Sequence, residues 1–313
     1  MMLRFLPLFF LLTVQAEEKP RAEFWVDLHM GEPIEEVADL WEDLTSVDVV
    51  FVGETHRLAR HHRIQVVIAE KLLASGRPFV LGLEQIEARH QKELDRYVSG
   101  ELTFEAFAEA IHWKEEWGNF EDYRALMETV REGKGRIVGL NAPHEVIHEV
   151  GKTGIAALAP EQRGTLPKDI HTEDPTYERL MNQLLSVHSQ FDPKFLKNVF
   201  EAQVARDETM AASLVDALGP APEKDKPRPL AMAVTGSGHI QFGLGTADRV
   251  KWRRKDLEER IILCSESGDL VLSPMEEAMR RAIQIHHRDV RFIGRPIGDY
   301  LSVKEQNPDS PKD

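Results

Sequence analysis

The chain has 313 residues, 42% hydrophobic and 29% charged, which would suit two small domains, but the evenness of that mixture fits one large globular unit. A formal net charge of -14 argues against partners that present a phosphate backbone, so nucleic acid is excluded as a ligand. The single cysteine, Cys264, excludes an internal disulfide; it sits in the apolar run Ile261-Ile262-Leu263-Cys264, where a buried, inert thiol is expected.

At the start, Arg4 precedes an apolar run over 5–14 that closes on Val14-Gln15-Ala16, a small-residue cleavage pattern ahead of Glu17. Residues 1–16 therefore read as a cleaved signal peptide. The apolar run is well short of the roughly 20 residues a membrane-spanning helix needs, and no cysteine lies near the cleavage point to carry a lipid. A soluble protein of the periplasm or the medium is expected, with no transmembrane segment and, once Arg4 is removed, a net charge of -15.

Six short β-rich runs follow, at 48–52, 78–83, 136–140, 230–235, 260–264 and 290–293, each bounded by polar residues or by Gly and Pro. They are almost continuously apolar, as strands buried on both faces are, so they belong in a parallel sheet covered by helices. A crossover helix fits between the first two, with Ile64, Val67, Ile68 and Leu72 on one face. The stretch 144–218 has helical spacing and no strand-like run. The predicted fold is α/β, a largely parallel central sheet flanked by helices, with a helical insertion between the third and fourth strands. One domain spans 17–303, and 304–313, polar and with two prolines, is a frayed tail.

Ligands of open parallel sheets bind beyond the carboxyl ends of the strands, so the polar residues that follow each apolar run are the ones to collect. They are Gly53-Glu54-Thr55-His56, Glu84-Gln85, Asn141-Ala142-Pro143-His144 and Gly236-Ser237-Gly238-His239. Two of these share a Gly-x-x-His spacing, in which glycine lets the chain turn sharply and histidine points back over the sheet edge. His56, Glu84 and His239 together suit zinc, manganese or iron and would leave coordination positions open. Glu84 follows an apolar strand and must be paired with a cation, a metal or hydrogen-bond donors. His56 and His239 could instead cap helices or bond loop carbonyls. Asn141 could equally fix its loop, and of the adjacent His61 and His62 one is expected to face water. In the helix from about 193 to 218, Gln203 and Asp207 interrupt the apolar stripe of Leu196, Val199, Phe200, Met210, Ala211, Leu214 and Leu218, and so either line the site or brace the insertion.

The ordered series of Gly53-Glu54-Thr55-His56, His61-His62-Arg63-Ile64-Gln65, Leu83-Glu84, Gln91, Leu94, Tyr97, Trp117, Tyr123, Asn141-Ala142-Pro143, Gln203, Asp207, Met210, Gly236-Ser237-Gly238-His239 and Asp299-Tyr300 resembles the ChaN-like haem-binding uptake family, within the superfamily that includes Tiki, TraB and erythromycin esterase proteins. The likeness runs from 48 to 303 and departs from the family at Arg57, Gln85 and Phe242. It implies an α/β fold with a helical subdomain, haem or another iron-containing ligand as partner in iron acquisition, and a homodimer able to bring two haems together.

Haem iron needs an axial ligand, for which Tyr177, His171 and His188 in the insertion are the candidates. His62, Gln65, Asn141, Gln203 and Asp207 would line the pocket. The alternative is a divalent-metal-dependent hydrolase of the Tiki-like type, with Glu54 activating a water held by His56, Glu84 and His239.

Overall fold

The computed structural model describes residues 23–185, 192–222, 226–266 and 287–304. The expected leader and most of the expected tail therefore lie outside the described residues. Eight strands form one sheet in the order β2-β1-β8-β7-β3-β6-β4-β5. They are β1 Glu23–Asp27, β2 Glu32–Pro33, β3 Val49–Glu54, β4 Phe79–Glu87, β5 Arg136–Asn141, β6 Leu230–Gly236, β7 Glu259–Cys264 and β8 Tyr300–Lys304. The six from β8 to β5 run parallel, while β1 and β2 add an antiparallel edge.

Strand alternation divides the core in two. Val50, Val52, Phe79, Leu81, Leu83 and Val234 point to one face, onto α1 (Val37–Ser46), α2 (Ala59–Leu73), α3 (Gln91–Val98), α4 (Phe104–Ala110), α5 (Trp113–Glu116) and α6 (Arg124–Glu132). Val49, Phe51, Val80, Ala231 and Ala233 point to the other, under Met210, Ala211 and Leu214 of the long helix that closes the insertion. The insertion comprises α7 (His144–Thr153), α8 (Pro160–Arg163), α9 (Pro175–Leu184) and α10 (Pro193–Leu218), and α11 (Thr246–Arg253) follows β6. Its two longer late helices start where an aspartate caps a proline: Asp174 accepts from the amide of Tyr177, and Asp192 from that of Lys194.

Five of the six expected strands form. The sixth does not: 290–293 ends a short helix, His287–Val290, and continues as a 3-10 turn, Arg291–Ile293, whose partly buried Val290, Phe292 and Ile293 pack on Tyr177, Leu180 and Phe200. The sheet position expected there is taken by β8. On α2, Ile64, Ile68 and Leu72 are buried as expected, but Val67 is 42% exposed, because the buried face turns instead through His61, Gln65 and Ala69.

One irregularity shapes the strand ends. Leu83 of β4 pairs with Gly139 of β5 and Glu87 with Asn141, so four residues of β4 span two of β5. The bulge brings the Glu87 carbonyl so close to Gly139 that a Cβ there would stand 2.6 Å from its oxygen. Gly139→Ala is therefore expected to destabilise the fold by about 1–3 kcal/mol. Gly238→Ala, whose methyl group would meet nothing within 4 Å, should change stability by less than about 0.5 kcal/mol. Urea unfolding of the two variants checks both values.

Candidate functional site

The carboxyl ends of β3, β6 and β4 lie side by side, and they carry Glu54, the Gly236–His239 turn and Glu84. The same alternation that splits the core splits these acids. Glu54 continues the series Val50, Val52 and faces α2; Glu84 continues the face of Val80 and lies beneath α10.

Glu54 is 2% exposed. Its Oε1 accepts from the Tyr123 hydroxyl at 2.5 Å, from Gln85 Nε2 at 2.8 Å and from His56 Nδ1 at 2.8 Å, and its Oε2 accepts from Gln65 Nε2. Burial and then the Glu54 charge push the Tyr123 phenol far above its ordinary range, so it is a permanent donor. His62 lies beside the same acid, its Nδ1 3.6 Å from Glu54 Oε2 and its Nε2 3.0 Å from the His56 carbonyl. Neither His61 nor His62 faces water. His61 accepts from the Thr55 amide through Nδ1, and its Nε2 lies 3.1 Å from the carbonyl of Ser265, beyond the end of β7; His62 packs edge-on against Tyr123.

Glu84 is 1% exposed. Its Oε2 accepts from the Gly236 amide at 2.6 Å, and its Oε1 lies 2.9 Å from the Arg206 guanidinium and 3.3 Å from His239 Nε2. His239 Nδ1 in turn meets Asp207 Oδ1 at 2.6 Å. Burial raises the cost of the Glu84 charge, yet His239 and Arg206 outweigh it and hold the carboxyl well below the usual carboxylate range. Burial also opposes charge on His239, but Glu84 and Asp207 carry its pKa up to about 9. Asp207 accepts from Thr246 Oγ1 and from the Tyr177 hydroxyl, both at 2.9 Å, and Gln203 Nε2 lies 3.1 Å from that hydroxyl and 3.0 Å from His239 Nδ1.

The two networks meet at His56, which is the least buried member, with a side chain 37% exposed. Its ring stands edge-on to Trp117, and its Nε2 is 3.1 Å from where a Cβ would stand on Gly236, the residue bonded to Glu84. Burial opposes charge on His56, but the Glu54 hydrogen bond and the nearby Glu84 raise its pKa.

His56, His239, Glu54 and Glu84 all lie at the carboxyl edge of the sheet, with the two carboxylates on opposite faces of it. Both ring nitrogens of His239 face carboxylates, an arrangement that favours the imidazolium, and Glu84 turns its oxygens to Arg206, His239 and Gly236. Among the described residues, His56, Glu84 and His239 do not bring three donor atoms within 4.8 Å of one another. Tyr177 is 1% exposed, burial together with Asp207 pushes its phenol well above the ordinary value, and its hydroxyl donates to Asp207. Gln203 bonds the same hydroxyl. Asn141 ties the strand ends, donating to the Glu84 carbonyl and accepting from the Ala142 amide. His171 is half exposed beside Glu208 and Trp252, away from these strand ends, and His188 lies outside the described residues.

Arg206 and the open space beside it escaped the sequence reading. A groove of about 210 Å3 runs past Glu84, Gln85, Asn141 and Arg206 to Trp117, Ile147, His144 and His148. The last two are exposed and stack one turn apart on α7, ring centroids 6.2 Å apart and planes 8° from parallel. The spacing His144-Glu145-Val146-Ile147-His148 was a visible signal for a pair on one helix face.

A sequence model described as haem-binding uptake, Tiki superfamily, ChaN, matches residues 40–250. No curated protein matches the sequence at a significant level. Among solved structures, that of cofacial haem binding to ChaN of Campylobacter jejuni is 17% identical with a TM-score of 0.65, covering 91% of this chain and 97% of that one. A protein of Bacillus cereus (15% identity, TM-score 0.41, 74% and 69% covered) and the open conformation of a mutant erythromycin esterase, EreC (14%, 0.42, 77% and 76%), are more distant.

The coupled pair Glu84–His239 sets a pH window. The folded pKa of His239, about 9, exceeds its ordinary 6.5, so its contribution is complete below pH 6.5 and is lost as pH rises through 9. The folded pKa of Glu84 lies below its ordinary 4.5, so its contribution is complete above pH 4.5 and is lost as pH falls toward the depressed value. The stability advantage of the natural chain over the doubly neutral variant Glu84→Gln, His239→Gln should therefore peak between pH 4.5 and 6.5 and shrink on either side, as read by urea unfolding across pH.

Proposed function

This chain belongs to the ChaN family of haem-binding uptake proteins in the Tiki superfamily, and we propose from that premise that it binds haem in the groove beside β4 and β5. The observation that carries this reading is the pair of exposed imidazoles, His144 and His148, that flank Ile147 on α7 and share the groove with Trp117. A porphyrin has apolar faces, an iron that takes an imidazole, and two carboxylates. Ile147 and Trp117 suit the first, either histidine the second, and Arg206, 28% exposed while it holds Glu84, suits a carboxylate.

The groove, at about 210 Å3, is smaller than the roughly 300 Å3 at which pockets begin to enclose a drug-sized ligand. One copy would therefore cover only part of a porphyrin. A second copy closing over the remainder suits the cofacial haem arrangement described for the Campylobacter jejuni protein, and a homodimer is part of the proposal. The buried networks at the strand ends hold the groove wall rigid and perform no bond-making step. With the leader read from residues 1–16, the carrier would work in the periplasm or outside the cell, in haem or iron uptake; no described helix is long and apolar enough to cross a membrane. The divalent-metal hydrolase reading lacks a converging ligand set at His56, Glu84 and His239.

Titration of the purified chain with haemin should produce a saturable Soret band. His144→Ala with His148→Ala should weaken binding at least about tenfold, since loss of even an outer-shell partner of a metal ligand costs that much, and should shift the band. An unchanged band in that double variant, with loss in His171→Ala, would move the haem to the other side of the insertion; no band in the natural chain would sink the reading.

A further inference from the structure

Beside the groove, at its outer end, β4 runs out in Glu87, and the 3-10 turn Ala88–His90 brings His90 back toward it. Glu116, the last residue of α5, approaches the same point. One donor atom from each of Glu87, His90 and Glu116 lies within 4.8 Å of the other two, with His90 Nε2 3.9 Å from Glu87 Oε2. We propose that these three residues form a binding site for a divalent transition-metal ion of the zinc class. The site is separate from the haem reading and does not depend on it.

Two independent features point to a cation here. Glu87 is only 6% exposed, and its two oxygens are treated differently. Oε1 is fixed by the His144 amide at 2.7 Å, while Oε2 is buried and has no hydrogen bond. Its charge is answered only by an ion contact with Arg89 Nε at 2.5 Å. His90 Nε2 is also buried and without a hydrogen-bond partner. A buried ring nitrogen with no hydrogen bond, 3.9 Å from a buried carboxylate oxygen whose one close contact is the Arg89 guanidinium, is costly in a folded protein, and one ion between these two atoms and Glu116 would satisfy the nitrogen and take over the charge of the oxygen.

Donor chemistry selects the ion. An imidazole with two carboxylates suits zinc, iron(II) or manganese, whereas magnesium and calcium take all-oxygen sets. Three protein donors leave at least one position for water or for an anionic group, and because Glu87 and Glu116 also line the groove, that position opens toward whatever the groove holds. The His144 amide, by fixing Oε1, sets the direction in which Oε2 points, as outer-shell partners of metal ligands do.

Arg89 is the built-in competitor. Its guanidinium touches Glu87 at 2.5 Å and lies 3.8 Å from Glu116 Oε1, so it occupies the charge of the site that an ion would take. It has another partner, since its two terminal nitrogens also hold Glu145, and its side chain is 42% exposed. Leaving Glu87 therefore costs Arg89 one pairing, not all of them.

The competition gives the test opposite signs in two variants. Zinc(II) alone, added to the full haem-free chain stripped with a chelator, is followed by calorimetry and by metal analysis after gel filtration. One equivalent should bind at micromolar concentration. His90→Ala should weaken it at least about tenfold and Glu116→Gln should weaken it measurably, while Arg89→Gln should tighten it. The His90 and Glu116 side chains are 19% and 32% exposed, and metal-free melting temperatures within a few degrees of the natural chain's would show that both variants fold. Magnesium and calcium should not compete. No zinc uptake by the natural chain overturns the proposal. So does uptake that neither His90→Ala nor Glu116→Gln reduces, which would put the ion on other residues such as His144 and His148. Weakening by Arg89→Gln would also overturn it.

Discussion

A carboxylate at the end of a buried strand has to be matched by positive charge, and the placement of Glu84 governs much of this molecule. With Glu84 almost wholly enclosed, its charge is held by Arg206, by His239 and by the Gly236 amide. Each of those partners then needs its own support. Positive charge on His239 is favoured by Glu84 and by Asp207 on its other nitrogen, and Asp207 is held by Thr246 and Tyr177. Arg206 and Asp207 belong to α10, so this chain of requirements fixes the helix across the strand ends. Removing one charged partner from such a network costs several kcal/mol, on the order of 3–5, and of its members Arg206, with a side chain 28% exposed, is the one that also reaches the groove.

Strand alternation then puts Glu54 and Glu84 on opposite faces of the sheet, each with its own network, although their strands are separated only by β6. His56 stands at the edge between them, bonded to one acid and close to the residue that binds the other. The open groove lies beyond this edge, along β4 and β5, bounded by side chains that the networks hold still and by the exposed histidines of α7. Rigid floor and exposed imidazoles are thus separate features of neighbouring elements.

The central strands were legible because they are buried on both sides and so read as unbroken apolar runs, and the residues that end them could be collected by topology alone. The edge strands were not: β1 and β8 are five residues each and partly exposed, and β2 is two residues ending in Pro33. The run 290–293 has strand-like composition but packs as a satellite of α9 and α10. Charge state at the strand ends is what the sequence does not show. His239 looks like a ligand until Asp207 is seen on its second nitrogen, and Tyr177 like a phenolate until it is found enclosed; both facts depend on contacts across more than twenty-five residues of sequence. The separation of Glu54 from Glu84 was implicit in the alternation of the apolar residues before each. Arg206 gave no signal, being one arginine on a helix that carries several other polar residues.

The position of β6 also bears on how the chain reaches this structure. β3 and β4 are consecutive in sequence, yet they do not touch in the sheet; the strand that joins them begins at Leu230, long after β4 ends at Glu87. Until that strand arrives, the first half of the polypeptide holds two apolar strands with a vacant slot between them, and the closing of a very large loop must precede the contacts that reward it. Such wiring favours slow assembly and a long-lived, adhesive intermediate. A chain cut short before Leu230 would be left in that state permanently.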